Sequence, residues 1–131
     1  MKRSGINRGT KALKAKTRIK PVSDKRRKHR ASKAGQDAMW YMGQVKQLPC
    51  CICGSPGPNE AHHCISGRYS ARKASDWHTV PLCAFCHRMG PTAIHNGKAS
   101  WEVRNGPDTD YIEQTQIAIL GKARCDSLSN G

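Results

Sequence analysis

The sequence predicts an α+β fold: a small core held by zinc, short flanking helices, and a disordered basic N-terminal arm. Three observations lead there. The 131 residues are 37 % apolar but only 5 % aromatic, too little bulk for a large core without a metal or covalent clamp. Four of the seven cysteines stand in two C-x-x-C pairs. The net charge of +14 is gathered at one end: residues 1–35 carry fourteen Lys or Arg against one acid, Asp24, whereas residues 36–131 carry nine against eight.

Residues 1–35 form the arm. Their only sizeable apolar residues are Met1, Ile6, Leu13, Ile19 and Val22, so the segment cannot build a core of its own. Its densest run, DKRRKHR at 24–30, contributes Lys25, Arg26, Arg27, Lys28 and Arg30. Such a run neutralises phosphates without reading sequence, with an affinity that falls steeply as salt rises. The plainer alternative is a solvated tail.

Residues 36–131 form the second unit. In 36–48, Ala38, Met42 and Val45 fall near helical spacing and Pro49 stops the pattern, which predicts a short helix with Trp40 in the core. From Pro49 to Gly106 the chain is dense in Cys, His, Gly and Pro, as suits short strands and loops organised by metal. A last helix is predicted near 110–122, where Asp110 and Glu113 make a capping-box-like start.

No apolar run is long enough to cross a membrane, and no apolar stretch follows the basic N-terminus as in a signal peptide. The expectation is a cytoplasmic protein with no membrane partner and reduced thiols, where clustered cysteines hold metal more often than disulfides. Cys50-x-x-Cys53 and Cys83-x-x-Cys86 lie thirty residues apart. Two residues between thiolates let both sulfurs reach one ion, and two such knuckles complete a closed tetrahedral zinc site. Cys51, Cys64 and Cys125 are read as small buried thiols.

Five histidines, His62, His63, His78, His87 and His95, lie in or just beyond this region, and a four-cysteine site needs none of them. After His87 the helix opened by LCAFCHRM must end at Gly90-Pro91, and Pro91 cannot be a ligand. His95, before Asn96-Gly97, is the nearest further candidate. A zinc-knuckle binding module without chemistry stays open at this point.

Taken together, CCIC, then AHHCISGR, then DWHTVPLCAFCH resemble the HNH, or ββα-metal, endonucleases. The fuller string through IHNGKASWE, residues 50–106, is most similar to the phage Ref group of RecA-dependent nucleases. The resemblance implies that His62 and His87 are ligands of a catalytic ion and that His63 is the general base; His95, the candidate from the loop, would be a third ligand. It places His78 where the family has an asparagine that holds that base. It further implies DNA as substrate, a RecA–DNA filament as partner, and the cytoplasm of a bacterial host; a monomer is expected.

Phosphodiester hydrolysis needs these residue types. An unperturbed imidazole titrates near neutrality and can take a proton from water, and one divalent ion can stabilise the developing charge. Imidazole ligands suit Zn²⁺, Ni²⁺, Co²⁺ or Mn²⁺, while abundant Mg²⁺ could serve with water and phosphate oxygens. Arg68, Arg72, Lys73 and Lys98 are candidate phosphate contacts. Two rivals stand beside this reading: a non-catalytic zinc-knuckle DNA-binding protein, and an HNH-like nuclease acting on RNA.

Overall fold

The computed structural model describes residues 20–68 and 73–129, the last eight by backbone alone. Arg72 and the first nineteen residues of the arm lie outside the described residues, as does the side chain of Cys125.

The dense basic run is helical, a correction to the expected disorder. Helix α1 spans Asp24–Ala31. Ser23 caps it by accepting from the Arg26 N–H at 3.2 Å, Asp24 sits in the first turn, and Lys28, His29 and Arg30 sit in the last, where each sign favours the helix dipole. No α1 residue is buried. Ser32 ends this helix and starts the next, α2 (Lys33–Gln47): its N–H donates to the Lys28 and His29 carbonyls, and its hydroxyl oxygen accepts from the Gly35 N–H. A Cβ on Gly35 would lie 1.9 Å from the His29 carbonyl oxygen, so the close approach of the two helices requires glycine there.

α2 begins three residues before the expected start at Gln36 and ends two residues before Pro49, close to the predicted stop. It buries Ala38, Tyr41 and Val45, but Trp40 is 48 % exposed. At 3.6 residues per turn, Trp40 falls about 100° around the helix from Tyr41, off the buried stripe. Trp77 takes the expected core role instead, its ring centroid 4.7 Å from that of Tyr41.

Strands β1 (Glu60–His63) and β2 (Thr79–Leu82) pair antiparallel, with Glu60 opposite Leu82, Ala61 opposite Pro81, His62 opposite Val80 and His63 opposite Thr79. Cross-strand partners share a face, so Glu60, His62, Val80 and Leu82 look one way, and Ala61, His63, Thr79 and Pro81 the other. The first face meets a core of Cys50, Cys64, Val80, Leu82, Ile94 and Trp101. Toward the second, Tyr41, Val45 and Ile119 form another cluster, with Ala61 and Trp77 packed on it.

After β2 the chain makes one π-helical turn, Phe85–Met89, closed by the Gly90 N–H donating to the Phe85 carbonyl, and a 3₁₀ turn, Ile94–Asn96. Helix α3 (Lys98–Asn105) buries Trp101. The expected cap at Asp110 is not used: a 3₁₀ turn, Asp108–Tyr111, leads into α4 (Ile112–Ser129), and Asp110 donates its own N–H to the Pro107 carbonyl. No described helix is long and apolar enough to cross a membrane.

Candidate active site

Two groups of potential metal ligands lie among the described residues. In the first, the sulfurs of Cys50, Cys53, Cys83 and Cys86 all lie within 4.8 Å of one another, and those of Cys53 and Cys83 are 3.6 Å apart. A tetrahedron of thiolates about 2.3 Å from one zinc has edges of about 3.8 Å, so the four cysteines can hold that ion. Gly54, at φ 74°, turns the first knuckle so that its N–H reaches the Cys50 carbonyl at 2.9 Å. In the second knuckle the Cys86 N–H donates to Cys83 Sγ at 3.4 Å. Cys51 and Cys64 stay outside the set, their thiols pushed up to about 12 by burial, as suits inert packing groups.

The second group is His62, His87 and His95, with one ring nitrogen of each within 4.8 Å of the others. The ring centroids are 5.0 Å apart for His62 and His87, 5.2 Å for His62 and His95, and 4.8 Å for His87 and His95. The members are buried, partly buried and exposed in that order, so the cluster opens to solvent at His95. Asn96 positions that residue: its side-chain amide donates to the Arg88 carbonyl at 3.0 Å and the Gly90 carbonyl at 2.7 Å, tying the 3₁₀ turn to the π turn that carries His87.

Two carboxylates orient the cluster from behind. His62, 1 % exposed, donates from Nε2 to Asp108 Oδ2 at 2.9 Å, which leaves Nδ1 with its lone pair. Asp108 is fully buried and also accepts the Ile65 and Ser66 N–H groups at 2.7 and 3.1 Å. Burial alone would raise its carboxyl, but the bonds from His62, Ile65 and Ser66 prevail and hold it well below the usual range. His87 donates from Nδ1 to Glu60 Oε2 at 2.5 Å, leaving Nε2 to face His95 Nε2 at 3.0 Å. Arg88 grips the same Glu60, and the two neighbours, Arg88 first, lower its carboxyl to about 2. Burial first, then the neighbouring His87 and His62, pushes His95 below its ordinary value and favours its neutral form. Imidazoles whose other nitrogen is held by a carboxylate are what a bound ion requires of its ligands. Two such nitrogens, with that of His95 on the open side, fit a borderline metal such as Zn²⁺ better than Mg²⁺.

His63 lies apart from this cluster, on the other face of β1. Its Nε2 donates to Asp76 Oδ1 at 2.7 Å, and Lys73 lies 3.3 Å from the same oxygen. Burial would raise the Asp76 carboxyl, yet the bonds from His63 and Lys73 hold it below its ordinary value. His78, expected to hold His63, does not do so. Its side chain is exposed, and only its backbone is engaged, accepting from the Cys64 N–H at 3.3 Å and donating to the Ser75 carbonyl at 2.9 Å. Asp76, two residues earlier, has that part.

The remaining basic candidates divide. Arg68 is exposed, and its charge is felt at His95. Lys98 pairs with Glu102 at 3.4 Å, and Glu102 in turn accepts from the Ser66 hydroxyl at 2.6 Å. Lys25, Arg26, Arg30 and Lys73 line one cleft, which Arg27 and Lys28 do not. Reading the sequence alone missed Glu60 and Asp108 altogether. The available signal was their type: they are two of only eight acids among residues 36–131.

No curated protein and no solved structure matches this chain. A family model described as "Protein of unknown function (DUF968)" does match, over residues 16–120. With most of its length covered by that model, the chain belongs to the DUF968 family.

Proposed function

We propose that this protein is a metal-dependent DNA endonuclease of the HNH, or ββα-metal, kind, with a structural zinc on its four cysteines. One observation carries the reading: three imidazoles converge, two of them backed by carboxylates, beside a separate imidazole–carboxylate pair at the end of the same strand. A zinc module that only binds DNA has no use for either arrangement.

His62, His87 and His95 would hold a divalent ion, whose contribution when bound is Lewis-acid stabilisation of charge on the phosphate and the leaving oxygen. The chain's own residues do the rest. Asp76 takes the Nε2 proton of His63 in a hydrogen bond, which fixes the tautomer with a lone pair on Nδ1. That nitrogen accepts the proton of the attacking water, and Asp76 stabilises the imidazolium that results. Because β1 is regular through His63, His62 and His63 leave the sheet on opposite faces. A phosphodiester served by both must therefore lie across the end of the strand. Arg68, whose charge is felt at His95, and Lys98 would serve as phosphate contacts. The resemblance to the Ref group adds action in a bacterial host's cytoplasm, on DNA held in a RecA filament.

The test is nicking of displacement-loop DNA by the zinc-loaded full chain with Mn²⁺, Ni²⁺, Zn²⁺ or Mg²⁺, with and without RecA. His63→Ala is expected to lose about 10²–10⁴-fold in rate while keeping its metals. No cleavage by the wild type with any metal would leave a DNA-binding zinc protein. Equal cleavage without RecA removes the filament requirement, and preference for matched RNA moves the substrate class.

A further inference from the structure

Between α1, α2 and residues 73–76 lies a cleft of about 540 Å³. It adjoins the sheet face that carries His63, because Asp76, the hydrogen-bond partner of His63, is part of its wall.

From α1 the wall takes Lys25, Arg26, His29 and Arg30. These are positions i, i+1, i+4 and i+5, one face of a helix. Lys25, Arg26 and Arg30 make no ion pair among the described residues, whereas Arg27, outside the cleft, is paired with Asp24 at 2.7 Å. Three of the four cations of α1 without an ion pair among the described residues thus face the cleft, Lys28 being the fourth. Lys73 adds another cation from the opposite wall. The one carboxylate in the lining, Asp76, is offset by that lysine, 3.3 Å away, so the pair is neutral and the net positive charge of the wall comes from α1. From Lys25 to Arg30 the helix rises about 7.5 Å, and a nucleic-acid strand advances about 3.4 Å per nucleotide, so this face matches about two nucleotides. Met39, 55 % exposed, and Met42 give the cleft an adaptable apolar wall for sugars and bases.

We propose that this cleft seats the phosphodiester backbone of a nucleic-acid strand and leads it past Lys73 to the His63–Asp76 pair. The delivery to His63 rests on the nuclease reading; the binding does not. The ion cluster on one sheet face and the strand seat on the other then meet only at the end of β1, where the scissile phosphate has to lie.

The experiment measures affinity of the zinc-loaded full chain for labelled single-stranded DNA and matched RNA by fluorescence anisotropy, between 50 and 200 mM salt and without added divalent metal. All substituted side chains are exposed, so the variants fold. Lys25→Ala/Arg30→Ala is expected to reduce the slope of log affinity against log salt by about 1.4, two contacts' worth for a single strand, so that its deficit shrinks about sevenfold across that range. Arg27→Ala/Lys28→Ala removes the same charge from the same helix and is expected to change the slope by less than a third as much. Equal changes would overturn the seat and leave a diffuse electrostatic attraction. The oligonucleotide on which the two variants separate, DNA or RNA, identifies the strand. A wild type that binds with this asymmetry yet never cleaves would sink the nuclease reading alone, and a cleaving enzyme without the asymmetry would sink the seat alone.

Discussion

A carboxylate stands behind each of three imidazoles: Asp108 behind His62, Glu60 behind His87 and Asp76 behind His63. Each can only accept, so each fixes which ring nitrogen keeps its lone pair. Removing one should be felt as lost orientation more than lost fold. For Asp108→Asn we expect metal affinity at the histidine cluster to fall about 10–100-fold, read by competition with a chromogenic chelator. Asp76 also carries a pH signature. Its folded value lies below the ordinary one, so its stabilisation is complete above about pH 4 and disappears as pH falls through the lowered folded value. The difference in melting temperature between wild type and Asp76→Asn should correspond to about 1 kcal/mol above pH 4 and shrink as pH falls below it. A difference that went on growing as pH fell below 4 would contradict the pairing.

The histidines were legible because their spacing from the cysteine knuckles is a local property of the chain. Their carboxylates were not: Asp108 is 46 residues from His62 and Glu60 is 27 from His87, separations that only tertiary packing closes. The misreading of His78 has the same root. Counting back from Cys83 identifies a position, but the turn ahead of β2 aims Asp76 at His63 and leaves His78 in solvent.

Among the elements, α1 is anchored weakly by packing. It buries no residue, so its orientation depends on the shared cap at Ser32 and the approach at Gly35. Gly35→Ala would drive a Cβ to 1.9 Å from the His29 carbonyl oxygen, and the junction must open. We expect α1 amides to lose hydrogen-exchange protection while β1 and β2 keep theirs, and nucleic-acid affinity to fall with them. α1 escaped sequence reading because a net-charge argument sees only a missing core. The capping signals, Ser23 before Asp24 and Ser32 before Gly35, were present but outweighed. α2 was easier, its apolar period being strong, and only Trp40 was misplaced by treating every large aromatic as core.

At the scale of the molecule, two small apolar clusters flank a two-stranded sheet of four residues each. Structural zinc binding supplies about 10–16 kcal/mol, comparable with or larger than the whole net stability of a typical domain, about 5–15 kcal/mol. Cys53→Ser is therefore expected to lose the first ion and melt the core at ambient temperature. His95→Ala should lose only the second ion and stay folded. Metal content by mass spectrometry and melting by circular dichroism separate the two, and a Cys53→Ser protein that melts like the wild type would exclude zinc as the clamp.

The placement of the cysteines has one more effect. Cys50 and Cys53 precede β1 and Cys83 and Cys86 follow β2, so an ion on them ties the hairpin at the end where Glu60 faces Leu82. A ladder of four pairs has little to prevent a slip of one residue, and such a slip turns every side chain of a strand to the opposite face. In β1 it would send Glu60 and His62 toward α2 and bring His63 to the place of His62. A zinc clamp there would thus be a register lock: by fixing the alignment of four residues, it would, on the proposed reading, assign one adjacent histidine to the ion and the other to the proton.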